Sequence, residues 1–397
     1  ALAFRPSLEP DGDPFGIGLL WSKWGTLLTP AMLAAYTCPN LFEEGTAVTI
    51  QEKLPPLGFY PELPGEVVLG HQVSPETADL TTAPLRLARD RHFHTLFAGD
   101  TGFGKSVAAE RMVYETTRHW QLRTVVLDFG AGWRKLLNAP GLAGHVEIRH
   151  LSPGGVRPLR WNPLQIGRYI PPEVQWRIFC DFFGTVARAG VRRQIPELRE
   201  ALRRVYLGSG VLVDDPECQR DRVWGVVRPG ETAVAGQPAG TRLNALPGPV
   251  RQQLAVARSQ VIGLADLYSD IEAKLRLVPE RDTTLRGVLE GILFRLHPLV
   301  QGQAARQYAA GLDAIDINAV VPGDWGIAIL EGGKFLDDFS KAFLLGWAAW
   351  HFYNDAVIQR DELGVTGDAR IQIVFEEANK ILSGLDTGTE EETGGGV

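Results

Sequence analysis

Cysteine is scarce: three in 397 residues, Cys38, Cys180 and Cys218. An odd, widely spaced set builds no disulfide framework and has no metal-ligand spacing, so these read as reduced, buried or incidental thiols in a cytoplasmic setting. Long apolar runs are missing too. None reaches the ~18 residues of a membrane span, and the longest candidate, AFLLGWAAWHFY at 342–353, is short and contains His351. No secretory signal is visible, and the chain starts at Ala1 without methionine, which reads as a fragment or a processed form. Excess positive charge is lacking as well. A net charge of −7 argues against a surface broadly coated for nucleic acid. It leaves room for a basic channel, because counterion release depends only on the charges that meet phosphate. Lysine is rare, 8 against 32 arginines, a bias that by itself decides nothing. What is present, 45% hydrophobic and 22% charged residues with mean hydropathy −0.05, describes a globular chain. Its length calls for two or more structural units.

The most informative stretch is RHFHTLFAGDTGFGKS at 91–106. An apolar run at 92–98, predicted as a strand, meets Gly99-Asp100-Thr101-Gly102-Phe103-Gly104-Lys105-Ser106, and a helix-prone segment at 107–118 follows. The octet fits G-x-x-x-x-G-K-[ST], the P-loop pattern. Its glycines let successive N–H groups turn inward around a polyphosphate, and the helix start adds its positive dipole end. Asp100, Thr101, Gly102, Phe103, Gly104, Lys105, Ser106 and Val107 are therefore the candidate nucleotide-binding residues. Lys105 would reach the β- and γ-phosphates, and the Ser106 hydroxyl would take one position on Mg²⁺. The bland alternative is a glycine turn with a stray lysine.

In chain order, residues 1–64 are proline-rich, with a predicted strand at 46–51 and a short helix at 29–37. A strand at 66–71 and a connection over 73–90 lead into the P-loop strand. Beyond the P-loop helix, a strand at 122–128 ends on Asp128. If it neighbours the P-loop strand, that acid lies on the ligand-binding edge of an open α/β sheet; a solvated strand-end acid is the equal alternative. Residues 133–138 and a strand at 145–151 come next, then Trp161-Asn162-Pro163-Leu164. Helical periodicity marks 173–187, 196–206, 250–275 and 283–296, with a Gly/Pro/Arg-rich loop over 208–248. Arg188, Arg192, Arg193, Arg199, Arg203 and Arg204 could face nucleic acid, but the wet face of a helix is the favoured reading. A strand at 325–331 and an aromatic helix at 337–355 precede a buried strand, Ile371, Ile373, Val374 and Phe375, that ends in Glu376-Glu377.

Two adjacent acids at the end of an apolar strand are costly to bury unless cations or water use them. Hydrolysis at a P-loop needs such a second strand, with one carboxylate on the hydrated metal and another polarising the attacking water. Glu376 is assigned to the metal shell together with Ser106. Glu377 is assigned to water activation, which makes it, with Lys105, a catalytic candidate. The cofactors expected are ATP and Mg²⁺.

FHTLFAGDTGFGKS, VVLDFGAGW, WNPL, a long helical insertion, WGIAILEGG and IVFEEANKIL, in that order, resemble the HerA–FtsK division of P-loop ATPases. The likeness is greatest to HerA-type DNA translocases and conjugative type IV secretion ATPases, and it spans about 66–382. HerA-like proteins often carry Glu-Glu-Ala-His where this chain has Asn379, and most P-loop ATPases have Asp where it has Glu376. The resemblance implies a RecA-like sheet flanked by helices. It also implies a homo-oligomeric, typically hexameric ring on double-stranded DNA, with an arginine supplied by the neighbouring subunit that is not placed here. A RecA-type sheet would need a further strand or two beyond Leu382, where an acidic Gly/Thr-rich tail stands instead, so the core is expected to be incomplete.

The fold expected is thus α/β. A lead-in unit with β content (1–65) precedes the first part of the ATPase core (66–164), a mainly helical insertion (165–322), the second core part (323–382) and a flexible tail (383–397). Three functions compete. They are a HerA-type motor translocating or remodelling duplex DNA, a conjugation or secretion ATPase energising export, and a nucleotide-gated scaffold without motor activity. A partner nuclease or secretion-channel proteins would accompany the first two.

Overall fold

The computed structural model describes residues 3–4, 26–27, 64–73, 79–90, 94–98, 102, 104–187, 191–220, 241–311, 313–361, 364 and 371–382. The strand expected at 46–51, the helix at 29–37, the tail at 383–397 and the middle of the 208–248 loop lie outside them. The chain divides into two compact units, Ala1–Pro61 with Val73–Leu80, and Glu62–Gln72 with Thr81–Val397. In the first, β1 (Ala3–Phe4) pairs antiparallel with β2 (Thr26–Leu27). The second holds all but the last residue of β3 (Val67–Val73) and all but the first of β4 (Leu80–Leu87), which pair; β4 is a strand in the stretch expected to be a connection. Val67, Leu69 and Leu87 pack this pair against Trp120 and Leu122.

The sheet that organises the second unit is four-stranded and wholly parallel, in the order β6 (Val146–His150), β7 (Gly326–Glu331), β5 (Arg123–Asp128), β8 (Ile371–Phe375). Helix α1 (Lys105–Trp120) precedes β5. Side chains alternate across a strand. Accordingly Val125, Leu127, Ala328 and Leu330 join one core cluster with the helical side, while Val126, Ile327 and Ile329 join another with Ala109 and Val113 of α1. Both faces are covered, as the run of apolar residues in a parallel strand requires.

Two expectations fail here. Residues 94–98 form no strand, and β5 is flanked by β7 and β8 rather than by a P-loop strand. The run HFHTLFA carries two histidines and a threonine among its apolar residues, and it makes no ladder with the four strands among the described residues. The strand expected to be buried, β8, is only half-buried throughout, because it stands at the end of the sheet order.

Between β6 and β7 the chain is mainly helical: α2 (Pro172–Val186), α3 (Val191–Ser209), α4 (Pro216–Arg220), α5 (Gly248–Ser259), α6 (Leu264–Leu277), α7 (Thr283–Val300) and α8 (Gly302–Gln307). The periodicity over 250–275 predicts one helix, but the chain breaks at Gly263, where an added Cβ would lie 3.0 Å from the Ala310 amide nitrogen. Asn162 of the WNPL segment donates to the carbonyls of Ser259 (3.2 Å) and Ile262 (2.7 Å) across that break. The neighbouring Pro163 carbonyl accepts from the Trp347 indole at 2.9 Å. Trp347 belongs to α9 (Asp338–Asp361), the aromatic helix packed against the sheet, and α10 (Ala378–Leu382) follows β8. Cys180 and Cys218 are buried thiols; Cys38 is outside the described residues.

His351 on α9 sits fully enclosed, edge-on to Trp161, Trp347 and Trp350, and burial lowers its pKa from 6.5 to about 3. The unfolded imidazole takes up its proton near 6.5 and the folded one only near 3. Over that window acid therefore favours the unfolded chain, and stability complete above 6.5 is lost as pH falls, by up to ~1.4 kcal/mol per pH unit. Between pH 7 and 5 the parent should lose about 2 kcal/mol more of unfolding free energy than His351→Phe in urea titrations; equal losses would show that His351 does not carry the acid sensitivity.

Candidate functional site

The register of the sheet brings three acids to one corner. Thr124, Val126 and Asp128 of β5 share a face by alternation, as do Ile327, Ile329 and Glu331 of β7, and Gln372, Val374 and Glu376 on and just past β8. Asp128 is opposite Glu331, and the Glu376 amide donates to the Leu127 carbonyl at 3.0 Å. All three acids lie at the carboxyl ends of their strands, on the face that α1 covers.

Helix α1 is tied to this face by polar contacts. The Thr116 hydroxyl donates to Gln372 Oε1 at 3.1 Å, the Thr124 hydroxyl donates to the same oxygen at 3.2 Å, and Thr117 and Thr124 hydroxyls meet at 2.6 Å. Ten residues towards the helix start is about 15 Å of α-helix; four residues towards the strand end is about 13 Å of β-strand. The spans match, so with Thr116 on Gln372 the helix start falls beside the strand end. There the Ser106 hydroxyl donates to Glu376 Oε1 at 2.8 Å, across 270 residues of sequence.

Glu376 has a second partner, Trp133. Its indole Nε1 donates to Glu376 Oε2 at 3.2 Å, and the side chain is only 1% exposed among Val126, Ile148, Ile327 and Ala109. The loop that carries Trp133 is folded around Asp128. Asp128 Oδ1 accepts from the Gly130 amide at 2.8 Å, and Oδ2 accepts from Gly132 at 2.8 Å and Trp133 at 3.4 Å. Asp128 is thus buried rather than solvated. Burial raises its pKa, these three N–H donors pull it back, and the neighbouring Glu331 pushes it further up. Glu331, 1% exposed, takes the Arg134 guanidinium on both oxygens, with Nε at 2.9 Å, and His150 Nε2 lies 3.8 Å away.

Of the P-loop residues, Gly102 and Gly104 hold left-handed φ values of 88° and 79°, the region open to glycine. Gly104 is the N-cap of α1, Lys105 is its first residue and half-buried, and Ser106 and Val107 are exposed. Asp100, Thr101 and Phe103 lie outside the described residues. Glu377, one past Glu376, is exposed, has φ 53° and pairs with Lys380. Lys380 and Lys341 each sit 5.0 Å from the Phe129 ring centre. Ser106 and Glu376 are therefore brought together, with Lys105 and Glu377 adjacent to them in the chain. Among the helical arginines, Arg199 pairs with Asp181, Arg203 with Asp215 and Glu217, and Arg204 with Glu200 and Asp270, which leaves their charge satisfied within the chain. Arg188 and the Arg192 side chain lie outside the described residues.

Trp133, Glu331 and Gln372 were not singled out from the sequence. Strand parity counted back from Glu376 would have put Gln372 on the same face, whereas Glu331 comes to that face only through the pairing of β7 with β5. Nothing local marks Trp133 apart from its closeness to Asp128. An oxygen pair made of one hydroxyl and one carboxylate suits Mg²⁺, which takes few protein ligands and keeps waters and phosphate oxygens. No cluster of three or more His, Cys, Asp or Glu suited to a metal occurs among the described residues, and no helix among them is long and apolar enough to cross a membrane.

No family model matches the chain, and no curated protein matches it. Among solved structures it is similar to VirB4 of Thermoanaerobacter pseudethanolicus, with 16% identity and a TM-score of 0.41, over 70% of this chain and 82% of that one.

Removing the Asp128 carboxylate leaves three backbone donors without their acceptor in a closed corner. Asp128→Ala should cost about 3 kcal/mol of unfolding free energy. A cost under about 1 kcal/mol in the same denaturant titration would mean that the loop does not depend on it.

Proposed function

We propose that this chain is the ATP-hydrolysing subunit of a P-loop motor. The observation that carries the proposal is the 2.8 Å contact between Ser106 Oγ, in the G-x-x-x-x-G-K-S segment, and Glu376, at the end of β8. Two segments that the sequence assigns to phosphate and to metal are neighbours in space. In this reading the backbone over 100–107 cradles the phosphates and Lys105 neutralises the terminal ones. Ser106 and Glu376 would hold Mg²⁺, which when bound offsets the charge of the phosphate oxygens. Glu377 orients and deprotonates the attacking water. Its bond to Lys380 joins two side chains that are 45% and 46% exposed, a surface pair of the kind worth little. It can open when substrate arrives.

Ring assembly, with a site completed by a neighbour's arginine, belongs to the same proposal and rests on motif order alone. Two cargoes follow from that order: duplex DNA threaded by a HerA-type ring, and substrates energised for export by a conjugation or type IV secretion ATPase. Turnover measured with and without double-stranded DNA chooses between them. Stimulation favours the first cargo, and co-purification with channel components favours the second. Nucleotide-dependent assembly without either favours a scaffold.

Glu377→Gln should retain ATP binding and lose turnover by about 10²-fold or more, the usual contribution of a general base. Lys105→Ala should lose binding itself. A Glu377→Gln protein that hydrolyses ATP at the parent rate sinks the assignment of that residue.

A further inference from the structure

Glu376 is gripped on both oxygens by groups from different parts of the fold, and only one of those groups belongs to the P-loop. Ser106 holds Oε1 at 2.8 Å. Trp133 holds Oε2 at 3.2 Å, from a ring packed between α1 and the sheet and a backbone pinned to buried Asp128. We infer that Trp133 is a positioning residue for the metal-shell carboxylate: its indole N–H fixes the rotamer of Glu376 so that Oε1 faces Ser106. The inference rests on the nucleotide reading above and adds to it a residue outside the P-loop and outside β8.

The physical case is one of alternatives. A glutamate has three side-chain torsions, and its terminal one is broad, so an unsupported carboxylate past a strand end samples many directions. Anchoring one oxygen leaves the other with a restricted arc. An indole N–H has a single donor and no acceptor, so it can hold a carboxylate oxygen without competing for the metal. Trp133 itself cannot drift, being 1% exposed. Residues that orient a metal ligand in this way typically carry a 10- to 100-fold effect on metal affinity. The competing account is that Glu376 serves Trp133, satisfying an indole donor that burial would otherwise leave unpaired. In that account loss of the donor changes stability and leaves metal dependence alone.

Trp133→Phe separates the two, since phenylalanine keeps an aromatic ring in the cluster and removes the donor. The readout is the affinity for a fluorescent ATP analogue across a Mg²⁺ titration, with thermal unfolding measured in parallel. The expected result is an unchanged affinity without Mg²⁺ and a Mg²⁺ requirement raised about tenfold, at the low end of orienting-residue effects. A folded Trp133→Phe protein with the parent's Mg²⁺ dependence overturns the inference and leaves the nucleotide reading standing. A parent protein that binds the analogue with no Mg²⁺ dependence overturns both. If Trp133→Phe does not fold, 3-benzothienylalanine at position 133 takes its place, with sulfur where the indole has N–H and the same two outcomes.

Discussion

The geometry of the corner depends on one constraint, the matched spans of α1 and β8. A helix advances 1.5 Å per residue and a strand about 3.3 Å, so two elements laid antiparallel can agree at both ends only for certain pairs of lengths. Thr116 on Gln372 fixes one end, and Ser106 on Glu376 is the other. Each threonine hydroxyl in the middle of this arrangement has a partner. Thr116 shares its one hydroxyl proton between Gln372 Oε1 at 3.1 Å and the Met112 carbonyl at 2.8 Å, and Thr117 pairs with Thr124. Sliding the helix by one turn would break the contacts of Ser106, Thr116 and Thr117 with the strands at once, and the buried Thr117–Thr124 pair would carry the full desolvation cost.

Electrostatics explains why the rest of the corner is so closely tied. Asp128 and Glu331 are paired in register and both nearly inaccessible, and two acids so close resist joint ionisation. The protein answers with different donors for each: three backbone N–H groups for Asp128, and a two-pronged guanidinium from Arg134 for Glu331. Both sets of donors come from the same short loop, 130–134. That loop is closed by the Gly332 amide on the Asp128 carbonyl at 2.8 Å and the Gly333 amide on the Gly130 carbonyl at 3.1 Å. Gly332 has no room for a side chain, since a Cβ would lie 2.8 Å from the Phe129 carbonyl oxygen. Neutralising the two acids and holding Trp133 beside Glu376 are thus consequences of one folded turn.

The elements that were legible in the sequence are those whose signal is local. Apolar runs at 122–128, 325–331 and 371–375 are strands, and the helix after Lys105 follows its glycine cap. Gly102 and Gly104 adopt left-handed φ values, which glycine takes without strain. What stayed hidden is non-local. Asp128 at the end of a strand looks the same whether it is wet or buried; only pairing with β7 puts Glu331 against it. Strand order is likewise invisible in any one segment, so the run at 94–98 reads as a strand although it joins no ladder, and β8 reads as buried although it stands at an edge. Trp133 looks like any apolar anchor until the fold brings it to Glu376.

In the proposed reading Ser106 and Glu376 act together on one magnesium-bound nucleotide. A double-mutant cycle separates this from a purely structural contact, with ATP affinity measured for the parent, Ser106→Ala, Glu376→Gln and the double variant, each with and without Mg²⁺. Both single variants should lose most of the Mg²⁺-dependent affinity, the double variant should lose little more, and a coupling of about 1 kcal/mol or greater should vanish without Mg²⁺. Additive losses, or a coupling indifferent to Mg²⁺, would contradict that reading and reduce the contact to a structural hydrogen bond.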